Sequence, residues 1–230
     1  MKQFTITLAS IVLSAFSALS QEYTIKSTMK MEGMPPEMSA MADMDMVTYV
    51  KGDKVKTEST GMMGSRVTVY DGQKSITLSD MMGNKVGFTQ TREEMDANDK
   101  NTPPAKPVFE MTNEKKTIAG YECTKVIMKM TIDKQATSNV LWVTDKLNIK
   151  SNKYAADRSR GSYDFSELKG YPLSMEISMS RNGQNMTMVM TATEVSTAAV
   201  DDSEFKLDTT GYKMMTFKEM QDRMKAMGGR

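Results

Sequence analysis

The sequence has no histidine and only one cysteine among its 230 residues. Without histidine the chain can build no Ser-His-Asp triad, no imidazole acid–base pair and no imidazole metal site. A single cysteine can form neither an internal disulfide nor a structural zinc site. These absences exclude the commonest catalytic and metal-binding arrangements.

The chain also lacks an excess of charge of either sign. It has 30 Lys and Arg against 29 Asp and Glu, a net charge of +1. This balance gives no electrostatic attraction to nucleic acid, so we predict no nucleic-acid partner. Charged residues make up 26% of the chain, which is too polar for a polytopic helical membrane protein, and we expect no transmembrane span.

Residues 1–20 have the features of a secretory signal peptide. Lys2 is followed by a short apolar stretch, and Ala18-Leu19-Ser20 fits the small-x-small rule for signal peptidase. No cysteine lies near this point, so a lipid anchor on cysteine is not expected. We predict an exported protein, periplasmic or extracellular, whose mature part is one β-rich domain over residues 21–230.

Alternation of apolar and polar residues predicts a mainly β fold. The clearest hairpin is formed by residues 174–180 and 184–195 around Asn182-Gly183, the strongest signal for a two-residue turn. Such a turn pairs residues whose numbers sum to 365. One face of the hairpin then carries Met175, Ile177, Met179, Met186, Met188 and Met190.

Further strands and helices follow from similar signals. Alternation predicts a strand over residues 118–132, and Asp71-Gly72 marks a hairpin whose register stays open between a two-residue and a four-residue loop. In the four-residue form Val69 pairs with Ile76. Residues 97–107 read as a polar, proline-rich loop. Other predicted strands cover residues 23–31, 46–50, 55–59, 66–70, 75–79 and 139–144.

Two helices are predicted from capping boxes, in which a threonine is followed three residues later by a glutamate. The boxes are Thr91-x-x-Glu94 and Thr216-x-x-Glu219. The second opens a C-terminal amphipathic helix over residues 216–227. Its apolar stripe should pack on the methionine-bearing sheet face or a neighbouring face, and it consists of Phe217, Met220, Met224 and Met227.

Four short motifs of the second half resemble a known family. They are Ile-Ala-Gly-Tyr-Glu-Cys at 118–123, Val-Leu-Trp-Val-Thr-Asp at 140–145, Gly-Tyr-Pro-Leu at 170–173, and Phe205-x-Leu207 followed by Gly211-Tyr212. In this order they resemble a family of exported bacterial domains of unknown function. That family is similar in architecture to the outer-membrane lipoprotein carriers and related half-barrels. The resemblance implies a curved antiparallel sheet, a concave face covered by two or three short helices and loops, and no known catalytic residues.

Methionine is the residue in excess, with 26 copies. Methionine fills irregular apolar spaces, so the hairpin methionines suit an ordinary core. They also suit an adaptable cavity for a lipid or an apolar peptide, with the C-terminal helix as its lid. On the second interpretation the apolar ligand contacts the six hairpin residues named above.

The segment 29–46 holds seven of the methionines in eighteen residues and suggests a different function. Thioethers are soft ligands that favour Cu(I). Residues 31–50 add four acidic side chains and no basic one, which attracts a cation. The segment also suits an apolar lip over the cavity, a linker between strands or a sink for oxidants. The candidate copper ligands form two alternative sets of three thioethers, either Met31, Met34 and Met38 or Met41, Met44 and Met46.

No nucleophile, base and orienting group come together in any motif. Cys123 has no histidine to activate it, and its apolar strand pattern predicts burial. We therefore expect no enzymatic activity, with an uncharacterised hydrolase as the alternative. The predicted function is non-catalytic binding or carriage of an apolar ligand without a cofactor, and the alternative is a Cu(I)-binding or oxidant-protection protein.

Overall fold

A computed structural model describes residues 22–101, 106–132, 135–149, 164–181 and 184–226. The predicted signal peptide lies outside these residues. Twelve strands form one large curved sheet. They are β1 (Glu22–Glu32), β2 (Met44–Lys51), β3 (Lys54–Gly61), β4 (Gly64–Tyr70), β5 (Lys74–Met81), β6 (Asn84–Thr91), β7 (Val108–Ile118), β8 (Tyr121–Ile132), β9 (Gln135–Thr144), β10 (Tyr171–Arg181), β11 (Gln184–Ser196) and β12 (Lys213–Thr216).

The sheet consists of two meanders joined by β1. The strand order is β12-β6-β5-β4-β3-β2-β1-β11-β10-β9-β8-β7. Every neighbouring pair is antiparallel except β12 and β6, which are parallel. The mainly β prediction is confirmed, and this one parallel pair makes the sheet mixed. Because β1 pairs with both β2 and β11, it brings the N-terminal segment beside the last hairpin.

Within the described ranges, three α-helices accompany the sheet: α1 (Pro36–Ala42), α2 (Arg92–Asn101) and α3 (Phe217–Ala226). Both predicted capping boxes are confirmed. The backbone N–H of Glu94 donates to Thr91 Oγ1 and that of Thr91 to Glu94 Oε2. Thr216 and Glu219 repeat the arrangement at α3. No helix in the described ranges is long and apolar enough to span a membrane.

The two hairpin registers are now fixed. Met175 pairs with Met190 and Met179 with Met186, the register that a two-residue turn at 182–183 requires. Around Asp71-Gly72 the loop has four residues, since Val69 pairs with Ile76. The Asp71 carboxylate stabilises this loop by accepting the backbone N–H groups of Gln73 and Lys74.

Several predicted boundaries differ from the structure. The strand predicted over 118–132 begins at Tyr121, because Ala119 and Gly120 form a turn with φ of 47° and 84°. Ile118 instead ends β7, a strand that the sequence reading missed because its side chains are mostly polar and exposed. Residues 97–101 of the predicted loop belong instead to α2, which ends at Asn101.

Buried side chains form two core clusters. The first core cluster gathers around Tyr23, whose hydroxyl accepts the backbone N–H of Asn148. The second core cluster consists of Val126, Met128, Met130, Leu141, Val143 and Ile177. Phe109 and Phe165 pack against this second cluster and stack with their ring centroids 6.1 Å apart.

Candidate functional site

Methionines from four neighbouring strands line one face of the sheet. Directly paired residues share a face, and one row of such pairs runs Met175–Met190–Met29–Met44 across β10, β11, β1 and β2. A second row runs Ile177–Met188–Met31 and a third pairs Met179 with Met186. Met46 lies two residues after Met44 on β2 and therefore shares this face. We call this surface the methionine face, and it comprises Met29, Met31, Met44, Met46, Met175, Ile177, Met179, Met186, Met188 and Met190.

Burial changes along the methionine face. Ile177 belongs to the second core cluster, and Met175 and Met188 pack against that cluster together with Phe165 and Leu168. Met186 and Met190 are half-buried, and Met179 is 39% exposed. The six residues predicted to share a face do share it, and their side chains range from core to accessible surface.

The segment 29–46 is divided between the sheet and a helix. Met31, Met44 and Met46 lie on the methionine face, whereas α1 carries Met38 and Met41 with their side chains exposed. The Ser39 hydroxyl donates to the carbonyl oxygen of Met31, which fastens α1 to β1. Met34 is half-buried in the connection. The six candidate copper ligands are therefore divided among β1, the connection after it, α1 and β2.

A shallow depression of about 310 Å³ lies where α1, β1, β2 and the β3–β4 turn meet. Three methionines contribute to its wall: Met29, Met44 and Met62. Asp43 also lines it, and the Asp43 Oδ1 atom is buried with no hydrogen-bond partner among the described residues. The sequence reading missed Met62, although the symmetric Gly-Met-Met-Gly at 61–64 marked an exposed apolar turn.

The C-terminal helix lies far from the methionine hairpin. α3 packs on β6 and β12, and the ring centroids of Phe88 and Phe217 are 6.3 Å apart. Six strands separate β6 from β10 in the sheet. The interpretation of this helix as a lid over the β10–β11 hairpin is wrong. The helix follows β12, which lies at the edge of the sheet beside β6. Met227 and the side chain of Met224 lie outside the described residues.

Cys123 is fully buried in the first core cluster, as predicted. Its thiol donates to the carbonyl oxygen of Tyr121. Burial raises the pKa of the thiol, because the apolar surroundings disfavour the thiolate. The thiolate is the reactive form, so this environment suits an inert side chain.

Comparison with known proteins gives distant structural neighbours. No family model matches the chain, and no curated protein does. A structure of PNGF-II is 17% identical in sequence to this chain, with a TM-score of 0.46. The alignment covers 89% of this chain and 33% of the PNGF-II chain, so this chain spans about a third of PNGF-II. An uncharacterized conserved protein from Thermus thermophilus is 8% identical, with a TM-score of 0.48. That alignment covers 86% of this chain and 91% of the Thermus protein.

The lipoprotein LppX of Mycobacterium tuberculosis is also among these neighbours. It is 10% identical in sequence, with a TM-score of 0.40, and the alignment covers 80% of this chain and 90% of the LppX chain. Membership in the exported family resembled by the sequence motifs stays a prediction.

Proposed function

We propose that this is an exported, non-catalytic protein that binds the hydrocarbon chain of a lipid against the methionine face. The observation that carries the proposal is the Met175–Met190–Met29–Met44 row, which places four thioether side chains side by side across four strands. An ordinary core would bury such a row completely. Here Met175, Met190 and Met44 keep part of their surface accessible.

The chemistry of methionine suits a ligand without fixed shape. The side chain is unbranched and polarizable, so it adapts to a flexible acyl chain better than a β-branched side chain does. Each methylene group removed from water contributes about 0.8 kcal/mol. Burial of about eight methylene groups would then give about 6 kcal/mol, which corresponds to a dissociation constant of tens of micromolar.

A pair of adjacent substitutions tests the proposal. Met190 lies on the methionine face, and Val189 is its neighbour on the opposite face of the same strand with similar burial. Met190→Lys should reduce binding of a dansyl-labelled undecanoic acid at least tenfold, because the ammonium group must be desolvated beside the acyl chain. Val189→Lys is the matched control and should bind like the wild type. Equal binding by both folded variants would overturn the assignment of the site.

Cu(I) binding is a second candidate, and one observation favours it. Met29 and Met44 are directly paired, and they share the depression with Met62 and the unpartnered Asp43 oxygen. Thioethers are soft, neutral ligands, and a nearby carboxylate adds negative charge for a cation. The ligand set supported by the fold is therefore Met29, Met44 and Met62 rather than the whole segment 29–46.

The copper candidate is tested by removing sulfur while keeping the apolar volume. The double variant Met44→Leu/Met62→Leu should lose affinity for Cu(I) in competition with bicinchoninate under reducing conditions. Met63→Leu changes the neighbouring exposed residue of the same turn and should leave affinity unchanged. The same affinity for Cu(I) in the wild type, the double variant and Met63→Leu would eliminate this site. Binding of the dansyl fatty acid by each variant, measured in parallel, separates the two candidate functions.

A further inference from the structure

Strands β9 and β10 separate before they end. Their described pairing runs from Tyr171 with Thr144 to Glu176 with Val140. Beyond this point β10 continues to Arg181 paired with β11, and β9 starts at Gln135 paired with β8. Each strand is therefore paired on one side only along this stretch. We call the gap between residues 135–138 and 178–181 the fork.

One side-chain hydrogen bond closes the base of the fork. The backbone N–H of Ser178 points toward β9 and donates to Asn139 Oδ1 at 2.9 Å. In a continued ladder the partner of this N–H would be a backbone carbonyl of β9. Asn139 is 2% exposed, and a buried amide is costly unless it is hydrogen-bonded. The Asn139 side chain thus replaces the next bond of the ladder and fastens the two strands.

The fork leads directly to apolar side chains. Met179 stands on β10 at the fork with 39% of its surface exposed, and Ile177 follows it into the buried second core cluster. Asn139 pairs with Met128 of the same cluster across β8 and β9. A chain entering between the strands would pass from solvent to the methionine face without breaking a backbone ladder bond.

We propose that the fork between β9 and β10 is the entrance by which a lipid hydrocarbon chain reaches the methionine face, and that Asn139 is the positioning residue that holds the entrance closed. This inference rests on the function proposed above. A hydrocarbon chain needs no hydrogen bonds from the strands that it separates. Opening the base of the fork breaks the Ser178–Asn139 bond, so this bond should limit the rate of entry and exit.

The kinetic signature of an entrance differs from that of a binding surface. Substitution of a residue that only closes the entrance should change the association and dissociation rates by the same factor. The dissociation constant should then stay unchanged. Loss of one hydrogen bond of ordinary net strength corresponds to about a fivefold change in rate. Stopped-flow mixing of the mature protein with dansyl-labelled undecanoic acid measures both rates.

Asn139→Leu removes the acceptor, and Ser178→Pro removes the donor without altering a buried side chain. Both variants should exchange the probe about fivefold faster in each direction, with an unchanged dissociation constant. The control is Thr77→Val, which removes a buried hydroxyl bonded to Thr68 in the other half of the sheet, and its rates should match the wild type.

The outcomes separate the two proposals. Wild-type rates in a folded Asn139→Leu or Ser178→Pro protein would overturn the entrance while leaving the ligand site intact. A changed dissociation constant with an unchanged association rate would also overturn it, because Asn139 would then belong to the binding surface. Failure of the wild-type protein to bind the probe would instead contradict the proposed function itself.

Discussion

Met29 lies directly opposite Met190 on the paired strands β1 and β11. Met29 begins the methionine-rich segment 29–46, and Met190 belongs to the last hairpin of the sheet. This pairing joins two groups of methionines that look unrelated in the sequence. The copper hypothesis and the lipid hypothesis therefore concern one continuous surface, and experiments on either group need the other as a comparison.

Oxidation by peroxide should follow the exposure of each methionine. Met82 and Met62 are 83% and 73% exposed, whereas Met128 is fully buried. Mass spectrometry of peptides after brief peroxide treatment should find sulfoxide first at the two exposed residues and last at Met128. Added palmitate should slow oxidation of accessible residues of the methionine face, such as Met190 and Met179, and leave Met82 unprotected. Equal protection of Met82 would indicate nonspecific quenching of the oxidant.

Truncation of the second core cluster should destabilise the fold. Met128→Ala leaves a cavity where no solvent reaches the side chain, and the expected loss in the free energy of unfolding is about 2–5 kcal/mol. Urea denaturation followed by circular dichroism measures it. Met111→Ala, on the exposed surface of β7, should cost less than about 0.5 kcal/mol. Similar losses in both variants would contradict the described core.

Gly64 has a steric role that Gly72 lacks. Both have positive φ, 140° and 98°, but a Cβ at Gly64 would lie 2.0 Å from the Asp80 carbonyl oxygen, whereas the space at Gly72 is open. Gly72→Ala should cost about 1 kcal/mol of stability from the backbone conformation alone. Gly64→Ala should cost about 2–3 kcal/mol, since strands β4 and β5 must also move apart. Equal thermal midpoints would show that this close approach is absent.

Alkylation should report the burial of Cys123. Because burial raises the pKa of this thiol, the folded protein holds less thiolate at pH 8 than the unfolded chain does. Iodoacetamide should therefore modify native Cys123 more than about tenfold more slowly than the urea-unfolded thiol. The rate should rise with pH as thiolate forms. Rapid native labelling at pH 8 would place Cys123 at the surface.

Local signals predicted the parts of the fold that depend on neighbouring residues. The Asn182-Gly183 signal predicted the observed β10–β11 register, and the threonine–glutamate boxes located the starts of α2 and α3. Alternation alone left the Asp71-Gly72 register open, because both loop lengths are chemically reasonable. β7 escaped notice because an edge strand with exposed polar side chains has no apolar alternation.

The sequence predicted the hairpin part of the candidate site but not the part that depends on pairing between distant strands. Alternation placed Met175 and Met190 on one face, but nothing local specifies that β1 pairs with a strand more than 150 residues later. Met62 joins Met29 only through the β1–β2–β3 pairing. The fork is also invisible in the sequence, since it depends on where the pairing of β9 with β10 stops.

The proposed function requires that a lipid chain lies on the methionine face. Its most direct test is photo-crosslinking of the mature protein with a diazirine-bearing palmitic acid, followed by peptide mapping. Labels are expected at Met29, Met188 and Met190. Unlabelled palmitate should suppress them, and they should be reduced in Met190→Lys but not in Val189→Lys. Labels confined to the exposed turns at Met62 and Met82, or insensitive to palmitate, would contradict it.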